Sequence, residues 1–111
     1  MEFKQRDARE KCYAKVIFLE EGVPGYVRDI SESGIKIDIL QAIPWSKGDI
    51  ISVRIIPTEE LNIETFLCSV EIRWLQKGDP FNSLGAEVKD FEGVDSREKY
   101  NSLLGYYTSK N

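Results

Sequence analysis

Between Lys11 and Val88, apolar and polar side chains alternate with a period of two, the pattern of strands that bury one face. In Lys11–Phe18, the residues Cys12, Ala14, Val16 and Phe18 share a face opposite Lys11, Tyr13, Lys15 and Ile17. Glu20–Gly25 breaks this run. A short second strand over Tyr26–Ile30 leads into a polar turn, after which Ile35, Ile37 and Ile39 alternate with Lys36 and Asp38, predicting a hairpin with Asp29–Gly34 at its tip. Pro44 and the Lys47-Gly48-Asp49 turn precede a strand over Ile50–Ile56, ended by Pro57, which has no N–H to give a ladder. Phe66–Leu75 places Phe66, Cys68, Val70, Ile72 and Trp74 on one side and Ser69, Glu71 and Arg73 on the other. After a turn rich in Gly78, Asp79, Pro80 and Asn82, the residues Leu84, Ala86 and Val88 alternate with Gly85 and Glu87. Strands of similar length joined by short turns predict a mainly all-β fold, a six-stranded antiparallel β-barrel closed so that few edges stay exposed.

The period changes at the end of the chain. Tyr100, Leu103, Leu104 and Tyr107 follow helical spacing, and Asp95 with Glu98 has capping-box spacing, which predicts one amphipathic helix over 95–107. Its expected role is to cover a barrel opening or sheet face, with a partner-binding or dimer-forming helix as the alternative. Gly105 weakens the last turn by up to about 1 kcal/mol, so fraying after Leu104 is expected.

A chain of 111 residues fits one domain with a modest core. Its net charge of −4 argues against a general nucleic-acid or anionic-membrane surface. The charge is uneven, however: five cations (Lys4, Arg6, Arg9, Lys11, Lys15) and two anions (Asp7, Glu10) give the segment from Phe3 to Lys15 a local +3. Residues 1–10 therefore read as a flexible basic arm, and 11–111 as the barrel domain with its helix. The arm suits a small anion. With no spanning apolar run and no signal-peptide pattern, a cytoplasmic protein without membrane insertion is expected. Cys12 and Cys68 read as buried free thiols. The absence of histidine removes the commonest general base and metal ligand, so neither a metal site nor an enzyme is expected, and no phosphate-binding or nucleophile motif contradicts this.

The stretch Asp29-Ile30-Ser31-Glu32-Ser33-Gly34 concentrates the candidate chemistry. As a bare turn, its Asp and Ser side chains bond nearby backbone N–H groups, and Gly34 supplies a positive φ that closes the bend. The arm adds a functional reading. Guanidinium groups bind phosphate and the O6/N7 edge of guanine, while a carboxylate accepts from guanine's N1 and N2 hydrogens.

The order of basic arm, two strands, Arg28-Asp29-Ile30-Ser31-Glu32-Ser33-Gly34, the Ile35–Ile39 strand, Gly48-Asp49, Val70-Glu71-Ile72-Arg73-Trp74, Leu84-Gly85-Ala86-Glu87-Val88 and a final helix resembles the PilZ domain family. The resemblance runs from about Lys4 to Tyr107. It implies a Greek-key barrel that serves as a bacterial receptor for cyclic di-GMP, with an R-x-x-x-R arm wrapping the ligand against the D/N-x-S-x-x-G turn. On that basis the ligand residues are Arg6, Arg9, Asp29, Ser31 and Gly34, with no cofactor, and the output passes to a protein partner. The arm departs from the pattern, since Arg6 and Arg9 are three residues apart. In an extended segment such residues point to opposite sides, whereas a helical or bent arm brings them together. If Arg9 matches the second arginine, Gln5 takes the first position beside Arg6; if Arg6 matches the first, the second is Glu10. Arg9 is the firmer ligand residue, with Arg6 as its partner.

The competing reading is a barrel that binds no nucleotide and acts through protein contacts in motility or type IV pilus function. Trp45, the helix tyrosines and the loop Thr58–Thr65 are its candidate contact points, although Trp45 beside Pro44 also suits a lid on the core. Both readings allow a monomer or a dimer. Neither involves a nucleic acid polymer, since the strand aromatics fall at core-facing positions.

Overall fold

A computed structural model describes residues 12–108. Six strands, β1 (Ala14–Phe18), β2 (Val23–Ile30), β3 (Gly34–Ile39), β4 (Ile50–Pro57), β5 (Phe66–Gln76) and β6 (Asn82–Glu92), precede one helix, α1 (Ser96–Thr108). The strands close into an antiparallel barrel in the order β1-β2-β3-β6-β5-β4, as the alternating pattern predicts. Its inward residues, among them Val16, Phe18, Ile37, Ile55, Val70, Ile72 and Leu84, are fully or almost fully buried. Trp45 lies against Phe18 with ring centroids 4.2 Å apart and is itself buried, so it serves as the expected lid.

Strand limits differ from the sequence expectation where pairing outlasts or outruns periodicity. β1 begins at Ala14, opposite Pro57, where its ladder with β4 ends, which leaves Cys12 half-buried rather than buried. β2 begins at Val23 instead of Tyr26. Pro24 is tolerated there because that end of β2 pairs with β1 before its ladder with β3 starts at Tyr26. Gly25 is required by close packing: a Cβ would stand 2.9 Å from Ile37 Cγ2 and 3.0 Å from the Asp38 carbonyl.

The helix covers the barrel through Tyr100, Leu103 and Tyr107, which are buried. Its start corrects the capping-box expectation. Asp95 has a φ of 71°, outside the extended region an N-cap occupies, and it contributes its carbonyl to the Lys99 N–H rather than its side chain. The helix also persists past Leu104 to Thr108, against the expected fraying. The Tyr107 hydroxyl holds the last turn by donating to the Val27 carbonyl (2.5 Å) and accepting from the Tyr13 N–H (3.0 Å).

A cleft across four strands

The D-x-S-x-x-G stretch forms a corner whose backbone is bonded on all sides. Ser31 N–H donates to the Gly34 carbonyl (2.9 Å), and Gly34 N–H donates back to Ser31 Oγ (3.2 Å). From β6, Val88 N–H donates to the Ser33 carbonyl (2.8 Å). From α1, the buried Tyr100 hydroxyl donates to the carbonyls of Ser31 (2.6 Å) and Gly34 (3.2 Å). Burial, reinforced by the neighbouring Cys68, pushes the Tyr100 hydroxyl well above its ordinary pKa, so it keeps its proton, and its donor role, into more alkaline solution than an exposed tyrosine would. Asp29 accepts from the Ile30 N–H (3.0 Å) through Oδ1. Gly34 corrects one expectation: its φ is not positive, and it opens β3 as an ordinary strand residue. The bend closes through Ser31 Oγ instead.

The corner forms one wall of an open cleft of about 380 Å³, and the opposite wall comes from β5 and β6. Register explains how they meet. Asp29 pairs with Lys36, Lys36 with Gly85, and Gly85 with Trp74, one row across β2, β3, β6 and β5. Two β-bulges shape the row's ends. In β2, Val27 pairs with Ile37 and Asp29 with Lys36, leaving Arg28 as the extra residue. In β5, Ile72 pairs with Ala86 and Trp74 with Gly85, leaving Arg73 extra. The second bulge reverses the alternation, so Trp74 is exposed and not, as the periodicity predicts, in the core beside Ile72. Its indole lies over Gly85, where a Cβ would stand 2.1 Å from Trp74 Nε1. Arg73, on the same rim, is ion-paired with Glu87. Arg28 turns away from the cleft to Asp38, bonded Nε to Oδ2 at 2.8 Å.

The family model for the PilZ domain matches residues 4–105. The chain belongs to the PilZ domain family. Solved structures of similar fold include the Bacillus subtilis inhibitor of motility MotI/DgrA, with a TM-score of 0.66 and 17% identity over 86% of this chain and 44% of that one. Klebsiella pneumoniae MrkH in its apo state matches with a TM-score of 0.68 and 11% identity, over 88% of this chain and 47% of that one. The PilZ domain of Escherichia coli YcgR with c-di-GMP matches with a TM-score of 0.65 and 10% identity, over 86% of this chain and 81% of that one. The chain thus spans less than half the length of the first two. No curated protein matches its sequence.

PilZ domains are non-catalytic binding modules, and this one brings Asp29, Ser31 and Gly34 together on a single cleft. Arg6 and Arg9, like the whole arm over 1–10, lie outside the described residues. Among the lining residues of this PilZ cleft that sequence reading did not assign to a site are Lys36, Arg73, Trp74 and Glu87. Gly85 was the available signal, because a glycine inside a strand marks a bulge or a close approach, and here it marks both. Among the described residues, no helix is long and apolar enough to cross a membrane, and no group of three or more His, Cys, Asp or Glu side chains is placed to hold a metal ion.

Proposed function

We propose that this PilZ domain is a cyclic di-GMP receptor, with the nucleotide seated between the Asp29–Gly34 corner and Trp74. The observation that carries this reading is the joining of those two features on one cleft, a hydrogen-bonding corner facing an exposed indole. Guanine needs both. Its Watson–Crick edge offers donors that the Asp29 carboxylate can accept, and its ring stacks on an aromatic face, a contact worth about 1–3 kcal/mol per base. The cleft's own charges cancel, Lys36 and Arg73 against Asp29 and Glu87, so the ligand's two phosphates call for further cations. Arg6 and Arg9 are the natural source.

The root of the arm lies close enough for that role. Cys12 Sγ is 3.6 Å from the Val27 carbonyl, two residues before Asp29 on β2. Extended chain from Cys12 to Arg9 reaches about 10 Å, against about 7 Å along β2 from Val27 to Asp29. In this proposal residues 1–10 act as an arm separate from the barrel and become ordered on the nucleotide. Tyr13, at the arm's root, is bonded to Tyr107, which gives that ordering a route to α1 and to a surface a protein partner reads. Supporting the ligand class, one structure of similar fold is a PilZ domain with c-di-GMP.

The three-residue spacing of Arg6 and Arg9 favours a second reading, an adaptor that keeps the barrel and binds only protein. Calorimetric titration of the purified chain separates the two. Binding of cyclic di-GMP is expected, weakened by Arg9→Ala and by Asp29→Ala. No heat at about 100 µM ligand, equivalent to about −5.5 kcal/mol, would leave the adaptor as the better account.

A further inference from the structure

We infer that Arg73 is a phosphate-binding residue of the cleft with an exchangeable counter-ion: Glu87, its partner in the structure, passes to Lys89 when a phosphate binds. The inference rests on the cyclic di-GMP reading for its natural ligand, but its geometry stands apart from that reading. Glu71 and Glu87 are direct register partners on adjacent antiparallel strands. Like charges placed opposite each other repel, so this pair needs cations around it.

Two bulges supply them. Arg73 is the unopposed residue of the β5 bulge, and Lys89 is the unopposed residue where β6 shifts register between the Ser69–Asp90 and Val70–Val88 pairs. Arg73 bonds Glu87 and stands 3.8 Å from Glu71, while Lys89 stands 3.5 Å from Glu71 and 3.9 Å from Glu87. Each carboxylate therefore has two cations within reach. If Arg73 turns to another anion, Lys89 stays within reach of both carboxylates, so each keeps a cation nearby while the three groups together carry one net negative charge.

Position and chemistry then favour phosphate. The bulge that frees Arg73 from the regular ladder sets it beside Trp74 on the cleft rim, so a base on the indole carries its phosphate toward the guanidinium. Arg73 is 52% exposed, which leaves its donors open to a ligand, and a planar guanidinium binds phosphate in a two-bond fork. An ordinary surface ion pair of this exposure contributes little to stability, so losing it costs the fold little. This arginine also compensates for the irregular spacing of the arm.

The test is a set of variants at positions that leave the barrel core untouched, each checked for an unchanged melting temperature. Arg73→Gln is expected to weaken cyclic di-GMP binding about tenfold to a hundredfold. Glu87→Gln, which releases Arg73, is expected to tighten binding several-fold, an effect a purely structural ion pair would not give. Lys89→Gln removes the relief partner and is expected to weaken binding several-fold. Arg73→Gln within twofold of the wild type, or Glu87→Gln weaker than it, overturns the inference. If the wild type ignores cyclic di-GMP, the functional reading falls and the inference is judged on inorganic pyrophosphate. The Arg73 side-chain Nε–H resonance is then expected to shift on titration, and to shift at lower concentration in Glu87→Gln; an unmoved resonance overturns the inference.

Discussion

The two walls of the cleft are built on opposite principles. The Asp29–Gly34 corner is held by backbone bonds from its own turn, from β6 and from a buried tyrosine on α1. The β5–β6 wall presents Trp74, 41% exposed, together with a four-charge cluster on adjustable side chains. A fixed wall can read the edge of a base, because its acceptors need no reorganisation. An adjustable wall can close on whatever that edge has positioned. The division of labour makes a clear forecast: changes beneath the corner cost stability first, whereas changes on the facing wall cost affinity first.

The largest expected effect lies beneath the corner. Tyr100→Ala removes a ring packed edge-on against Phe91 (5.3 Å) and Phe66 (6.4 Å) and is expected to cost about 3–5 kcal/mol, measured by chemical denaturation. Tyr100→Phe isolates the hydroxyl. It leaves the carbonyls of Ser31 and Gly34 without that donor and is expected to cost about 1–3 kcal/mol. A loss near zero for Tyr100→Phe would mean that α1 merely rests on the corner. The same buried groups set a pH limit. Cys68 is pushed up to about 12 by burial, with the Glu92 carboxylate adding to the shift, and burial also raises Tyr100 and Tyr107. Above the ordinary thiol value of 9.0 the unfolded chain loses protons that the folded chain keeps, so stability is expected to fall as pH rises from about 9 toward 12. Thermal melts across that range check the sign, and Cys68→Ala should flatten the first part of the fall.

The next effect tests the corner's polar rim. Asp29 is exposed and, among the described residues, its carboxylate bonds the adjacent Ile30 N–H, so Asp29→Ala is expected to leave the ligand-free melting temperature nearly unchanged while removing most nucleotide affinity. Unfolding of this variant would return Asp29 to a purely structural turn residue. This corner was also the legible half of the site. Its residues are contiguous, so an Asp, a Ser and a Gly at fixed spacing announce a turn and its acceptors before any folding is considered. The six strands were legible for a similar reason, since each inward run of Ile, Val and Leu has one face to bury. The facing wall was not legible. Trp74 sits one residue past an unopposed Arg73, and a bulge adds a residue without changing local composition, so counting by two sends the indole into the core. The arm shows the converse: its arginines were plain in the sequence, while their placement lies outside the described residues.

Gly85 offers a way to disturb the adjustable wall alone. A Cβ there would stand 2.1 Å from Trp74 Nε1 and 2.3 Å from Cε2, so Gly85→Ala must lift the indole. Trp74 is already exposed and can swing outward, so the barrel is expected to fold with a stability loss near 1 kcal/mol. Nucleotide affinity should fall about tenfold, close to the value for Trp74→Ala, because both variants remove the same stacking surface. If Trp74→Ala weakens binding and Gly85→Ala does not, stacking does not depend on the indole's rest position over Gly85.

The smallest effect falls where the two walls meet. Gly34 has no positive φ, and a Cβ placed on it would lie 3.5 Å from the Ala86 carbonyl and 3.5 Å from Ser31 Oγ, both ordinary contacts. Among the described residues, nothing therefore demands glycine at this position. Gly34→Ala is expected to leave stability unchanged or raise it by about 0.4–1 kcal/mol through the lower entropy of the unfolded chain. Yet Gly34 lines the cleft, and a methyl group there takes space from a ligand pressed against the backbone. A several-fold loss of nucleotide affinity together with an unchanged or raised melting temperature would assign this glycine to the ligand rather than to the fold. Unchanged affinity would place the nucleotide farther out, toward Trp74, and leave Ser31 and Asp29 as the only contacts the corner makes.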